Sequence, residues 1–149
     1  MPIYMSLSGL PGESTHEQYP QWIEIESFSW GVNNSATGRA WDTMNVSGNI
    51  SFPAPKLMLA CAAGTHIKQG IIACSRSSSD KPLEYLRITL QDVMVSSFHE
   101  GDSSGEGGPP SIMMSLNFTK ITYKATTQRP DGSLISQTAW WDLKSNTGG

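Results

Sequence analysis

Alternation of apolar and polar positions dominates the chain. Ile3, Met5 and Leu7 open a first strand. Ile23 and Ile25 share one face of the next, and then Phe28, Trp30 and Val32 take the other parity. Side chains of a strand repeat every second residue, so this switch requires a bulge or bend near Ser27. Met44, Val46, Ile50 and Phe52 alternate, with Gly48 between them. Leu86, Ile88 and Leu90 alternate before Val93 and Val95 shift parity. Ile112, Met114, Leu116 and Phe118 alternate before Ile121, Tyr123 and Ala125 shift again. Strands with such defects bend strongly, and bent strands that pass between two sheets are a way to close a small barrel.

One segment departs from alternation. Leu57, Ala60, Cys61, Gly64 and Ile67 recur at helical spacing after Pro55, which suits a first helical turn. Gly70 supplies a stop, which predicts one helix over about residues 55–69. Its small residues (Ala60, Ala62, Ala63, Gly64) permit close approach to a sheet. Asn33 to Thr43, Gly101 to Pro110 and the turn Arg129-Pro130-Asp131-Gly132 read as loops, and Ser145 to Gly149 as a frayed tail. The fold expected is mainly β: a small two-sheet β-barrel with one flanking α-helix, in a single domain over residues 1–149.

Composition narrows the function classes. Charged residues make up 15% of the 149, and the formal net charge is -3. No run of Lys or Arg exists, so nothing electrostatic favours nucleic acid or an anionic membrane surface. The opening MPIYMSLSGL lacks the basic and apolar regions of a Sec signal peptide, and no apolar run approaches the roughly 20 residues of a membrane helix. Cys61 and Cys74 are too few for a disulfide scaffold and read as reduced, buried thiols. The sequons at Asn33, Asn45, Asn49 and Asn117 reflect strand and turn composition.

Candidate chemistry is sparse. His16, His66 and His99 are scattered without metal-ligand spacing, and neither cysteine lies in a CxxC. Ser14 and His16 stand close to Glu13, but Gly12-Glu13-Ser14 does not form a nucleophile elbow. The glycines at 101, 105, 107 and 108 have no following Lys and do not make a phosphate-binding loop. No catalytic, cofactor-binding or metal-binding residues are therefore assigned, and no enzyme is expected. Trp30 and one of the pair Trp140 and Trp141 are expected in the core, since neighbours on a strand face opposite ways. The other of that pair, and Trp41, are expected to be exposed and suited to a protein interface.

Trp22 to Val32, Lys56 to Lys68, Glu84 to Phe98 and Ser115 to Lys124, together with the GES at Gly12 to Ser14 and WDLK at Trp141 to Lys144, resemble the Hcp family. These are the tube proteins of bacterial type VI secretion systems. The resemblance runs through nearly the whole chain, in order. It implies a small β-barrel with a helix at its side, and homohexameric rings that stack into a tube. It also implies a contractile sheath and spike proteins as partners, effector proteins carried in the lumen, and export from the bacterial cytoplasm through the apparatus without a signal peptide. The chain departs from the family where Phe52 to Leu57 joins the third strand directly to the helix, and in its compact loop after Val32.

Alternation and resemblance together nominate site residues. With Phe28 and Trp30 in the core, Ser27 and Ser29 point outwards and are candidates to line a lumen. Trp41, Arg39 and Asn34, in the loop where the family carries an extension, are candidate contacts to a neighbouring protomer or a stacked ring. Two alternatives stay open: a phage-type tail-tube subunit, and a small barrel acting as a carbohydrate-binding module or hydrolase. A binding pocket would gather polar groups round an exposed Trp, whereas a tube subunit would place such aromatics at subunit contacts.

Overall fold

A computed structural model describes residues 2–78, 81–105, 108 and 110–149. The elements in chain order are β1 (Ile3–Leu7), β2 (Ile23–Ile25), β3 (Ser27–Ser29), β4 (Val32–Ser35), β5 (Gly38–Trp41) and β6 (Met44–Gly48). They continue with α1 (Ala54–Ala63), β7 (His66–Ser78), β8 (Lys81–Gly101), β9 (Ser111–Asn117), β10 (Lys120–Gln128), β11 (Leu134–Asp142) and β12 (Thr147–Gly148).

The chain is mainly β, as alternation predicts, but the expected two sheets take another form. Ten strands share one sheet whose neighbours run β12, β11, β10, β8, β7, β1, β2, while β9 also pairs with β8, β6 with β9 and β3 with β6. Only the bend at Glu26 separates β2 from β3, and its N–H still donates to Ser47 O at 2.8 Å. Sequence neighbours on either side of one bend thus pair with different strands, and the sheet curls round its own apolar face. Met5, Ile72, Ile88, Leu90, Val46, Met114, Leu116 and Leu57 of α1 meet inside.

The parity defects have identifiable causes. Asp92 lies at φ 53° within β8. Before it β8 pairs with β10 (Leu90 opposite Ile121), and after it with β9 (Val95 opposite Leu116). A second shift, between Val95 and Ser97, turns Phe98 inwards. The Ile112 to Ala125 stretch breaks at Phe118-Thr119 into β9 and β10, where Thr119 N–H reaches Gln91 O at 3.0 Å.

Four expectations need correcting. The helix ends at Ala63, short of residue 69, because Gly64 takes a left-handed φ of 63°. Gly64 N–H bonds Cys61 O and Thr65 N–H bonds Ala60 O, a closure that satisfies the last carbonyls and stops the helix. Ile67 and Gly70 belong to β7, and Ala62 and Ala63 face solvent. Asn33 to Thr43 is a two-stranded ribbon of β4 and β5, paired from Val32 opposite Trp41 to Ser35 opposite Gly38. The tail is not frayed: β12 pairs with β11, and Gly149 exchanges both backbone hydrogen bonds with Trp140. Phe52, in step with the β6 alternation, is 66% exposed because the strand ends at Gly48. In the glycine-rich connection after Gly101, Gly107 lies outside the described residues. Both cysteines are free; Cys74 is buried, which pushes its thiol pKa up, and Cys61 is half-buried.

Candidate functional site

β3, β6, β9 and the second half of β8 lie side by side, and their registers set residues in rows. Phe28, Val46, Met114 and Phe98 form one row and point into the core. Flanking rows face the other way, as period two requires. One is Ser29, Asn45, Ser115 and Ser97; the other is Ser27, Ser47, Met113 and His99. The outward position of Ser27 and Ser29 is thus observed, and they belong to a face of eight residues.

None of the eight carries a fixed charge, and His99 is the one titratable group among them. The face bounds a shallow concavity of about 600 Å³. Several of its polar groups are tied to one another. Ser27 Oγ and Ser47 Oγ are hydrogen-bonded, Ser115 Oγ donates to Asn45 Oδ1 at 2.7 Å, and Thr43 Oγ1 donates to the same oxygen at 3.2 Å. Short side chains, several of them hydrogen-bonded to one another, leave a neutral surface, with Met113 (59% exposed) as its apolar exception. Four of the six partners of Ser27 and Ser29 were legible in principle: Asn45 and Ser47 alternate with Met44 and Val46, and Met113 and Ser115 with Ile112, Met114 and Leu116. Ser97 and His99 were not, because the bulge at Ser96 resets the parity.

Two of the other nominated residues make side-chain contacts within the chain. Trp41 stacks on Trp30 at 6.3 Å with planes 5° apart and meets Phe118 edge-on. Against the expectation of an exposed anchor, it is half-buried and packs against the core. Arg39 Nη1 donates to Asn146 Oδ1 at 2.9 Å, and its guanidinium lies 4.8 Å from the Trp141 ring. Asn34, opposite Arg39 in the ribbon, is exposed. Trp141 packs on the core, and Trp140 is exposed with Lys120 Nζ 4.7 Å from its ring centre.

The GES and WDLK blocks prove architectural. At Gly12 any Cβ would stand 2.6 Å from Trp22 O, so only glycine lets the loop close on β2. Glu13 Oε1 accepts from Ser51 Oγ at 2.9 Å and from Phe52 N–H at 2.7 Å, pinning the connection that leads into α1. Ser14 Oγ accepts the backbone N–H of His16, whose ring packs against Tyr4 and Tyr19. Asp142 Oδ1 accepts the N–H groups of Lys144 and Ser145 and shapes the last turn, while Lys144 and His66 both approach Asp92 at the β8 pivot.

A second aromatic cluster went unread in the sequence. Tyr19 stacks on Tyr4 at 4.6 Å, meets Trp22 edge-on at 5.0 Å, and donates its hydroxyl to Glu84 Oε1 at 2.9 Å. Arg87 grips Glu84 with Nε and Nη2, and lies 5.7 Å from the Trp22 ring centre. Burial, then the hydrogen bond to Glu84 and its negative charge, push the Tyr19 pKa far up. The cluster fastens residues 8–22 to the outside of β1, β7 and β8. Among the described residues no group of three or more His, Cys, Asp or Glu could hold a metal ion, and no helix is long and apolar enough to cross a membrane.

Comparison with known proteins gives this architecture its relatives. Residues 4–124 match the family described as "Type VI secretion system effector, Hcp". Protein hcp1 of Pseudomonas aeruginosa strain PAO1 is 34% identical over 84 residues, a match that covers 56% of this chain and about half (51%) of that relative. The crystal structure of Hcp1 from Salmonella typhimurium superposes with a TM-score of 0.83 at 26% identity, covering 99% of this chain and 98% of that one. A structure described as that of a type six secretion system protein shares the fold at a TM-score of 0.91 and 22% identity, with 99% of both chains covered. A mainly β chain with one short helix, matched by this family over most of its length, belongs to the Hcp family of type VI secretion proteins.

Proposed function

We propose that the chain is a structural subunit that assembles as a homohexameric ring, and that rings stack into the inner tube of a type VI secretion apparatus. The neutral face of β3, β6, β9 and β8 lines the lumen in this reading, with Ser27 and Ser29 on it. One observation carries it: eight outward residues on four adjacent strands, polar but for Met113, form a surface without a fixed charge. A pore wall that passes varied proteins gains from that property, because a charged wall would hold oppositely charged cargo and repel the rest. Membership of the Hcp family supports the same reading. Effectors would travel against this face, and a contractile sheath and spike proteins would be the tube's partners. No step in this role requires a catalytic group. Arg39, Trp41 and Asn34, on the β4–β5 ribbon, are proposed to meet the stacked ring through the exposed edge of that ribbon.

The aromatics do not favour a carbohydrate-binding module. Trp30 and Trp41 pack on each other and on the core, Trp22 lies in the outer cluster, and exposed Trp140 is overlain by Lys120.

Light scattering coupled to size-exclusion chromatography, with negative-stain images of the same fractions, tests the proposal. Hexamer mass with annular particles is the expected result. A single-chain mass across a wide range of concentration and salt would overturn it.

A further inference from the structure

The three histidines are held differently. His16 Nδ1 accepts the backbone N–H of Gln18 at 3.1 Å, and its ring packs against Tyr4 and Tyr19. His66 Nδ1 lies 3.0 Å from Asp92 Oδ1. His99 is exposed and has no hydrogen-bond or ion-pair partner among the described residues. It stands on the neutral face, at the end of the row Ser27, Ser47, Met113 and His99. Six of the eight residues of that face are serine or asparagine, so Met113 and His99, opposite each other on β9 and β8, are its two long side chains.

No fixed charge meets His99 from the strands beside it. β9 holds no titratable residue, and neither do β6 and β3 further along the row. Glu26, in the bend before β3, is three strands away. On β8 itself Glu100 takes the other parity, opposite Ile112, and Asp102 lies past the strand's end. β7 reaches the second half of β8 only with His66 and Ile67, opposite Met94 and Val93, and His66 is engaged by Asp92. Helix α1, which packs on β8, has one charged residue, the exposed Lys56. A paired histidine changes its contacts when it takes a proton. An exposed, unpaired one changes only the charge of its surface.

We propose that His99 makes the neutral face proton-gated: it holds no charged molecule at about pH 8 and retains carboxylate-rich protein segments at about pH 5.5. This rests on the ring reading above and names the regulation of its lumen and the class of partner retained. Imidazole is the side chain whose charge ordinarily changes between about pH 5 and pH 8. Carboxylates ordinarily stay ionised through that range, so acidification charges the wall and not the cargo. Retention therefore appears as pH falls and is lost as it rises. One charge per chain becomes six at one level of a six-chain ring, and a cleft lined by one sign of charge concentrates the opposite sign. Met113 offers an apolar contact beside each imidazolium, so the pair fits a carboxylate flanked by an apolar side chain.

The test uses the full chain at low salt, with a dye-labelled aspartate decapeptide and a lysine decapeptide as probes in equilibrium dialysis. Light scattering on the same samples gives the mass at both pH values, and circular dichroism confirms the fold of each variant. Bound aspartate peptide is expected to rise about tenfold from about pH 8 to about pH 5.5, and bound lysine peptide not to rise. His99→Gln should remove the rise and His66→Gln should keep it. His99→Lys, charged at both pH values, should bind the aspartate peptide equally at both. An equal rise in His99→Gln rings, no rise in wild-type rings, or rings that come apart on acidification overturns the gate while the ring stands. A single-chain mass for wild type at about pH 8 overturns the ring reading itself.

Discussion

The two outward faces of the large sheet solve opposite problems. Over β1, β7 and the first half of β8, the outer face is aromatic and charged, and residues 8–22 are fastened onto it through Tyr4, Tyr19, Trp22, Glu84 and Arg87. Over β3, β6, β9 and the second half of β8, it is neutral, short-chained and bare. One strand, β8, takes part in both, and the character changes across the Asp92 pivot. Both faces sit on the same apolar core, so the difference is not forced by folding. A face that holds a loop needs anchors, and the second face carries none.

This contrast can be broken at several points, beginning with the strongest. Tyr19 is fully buried by its loop, and Tyr19→Ala should cost about 3 kcal/mol, as large-to-small changes of aromatic side chains do. Urea unfolding measures it, and an unchanged midpoint would mean that the loop is not fastened there. Gly12→Ala places a methyl against Trp22 O and Ile23, and the overpacking should cost about 2 kcal/mol on the same assay. Glu13→Gln weakens the acceptor for Ser51 and Phe52, and because Glu13 is exposed the loss should be no more than about 1 kcal/mol.

Alkaline pH addresses the same cluster. The Tyr19 pKa is raised in the folded chain, first by burial and then by Glu84. An unfolded tyrosine loses its proton near pH 10 while the folded one keeps it, so the Tyr19 contribution to stability should be level below about pH 10 and decline above it. Tyr19→Phe should flatten part of that decline in urea midpoints taken on either side of pH 10; Tyr4, Tyr85 and the Cys74 thiol, also raised, account for the remainder, the thiol from about pH 9. The smallest effect belongs to the bare face. Ser29→Ala should leave stability within about 0.5 kcal/mol, since Ser29 is exposed and its loss uncovers no core. A larger loss would make that face structural rather than available.

Much of this was legible in the sequence. Alternation at Met44 to Val46 and Ile112 to Leu116 identified the strands and their buried sides, and the parity switch after Ile25 located the bend within a residue of Glu26. Side-chain period reports which face a residue takes, but not which strand pairs next to it. Hence Ser27 and Ser29 were read as outward while their row partners Ser97 and His99 were not. The helix was drawn too long because Ile67 keeps helical spacing from Gly64, yet one left-handed glycine outweighs a spacing coincidence. The β4–β5 ribbon hid in a polar stretch with little strand character, and its order comes from tertiary partners: Trp30 beneath Trp41, and Asn146 and Trp141 for Arg39. The Tyr4–Tyr19 cluster joins residues far apart in the chain, and no local pattern announces such a contact.

The central claim is that the neutral face looks into the ring. A Ser29→Cys chain, with Cys61→Ser to remove the half-buried thiol, can carry a small gold cluster and be imaged as assembled rings. The account predicts gold density at the centre of the annulus. Gold on the outer rim would contradict it.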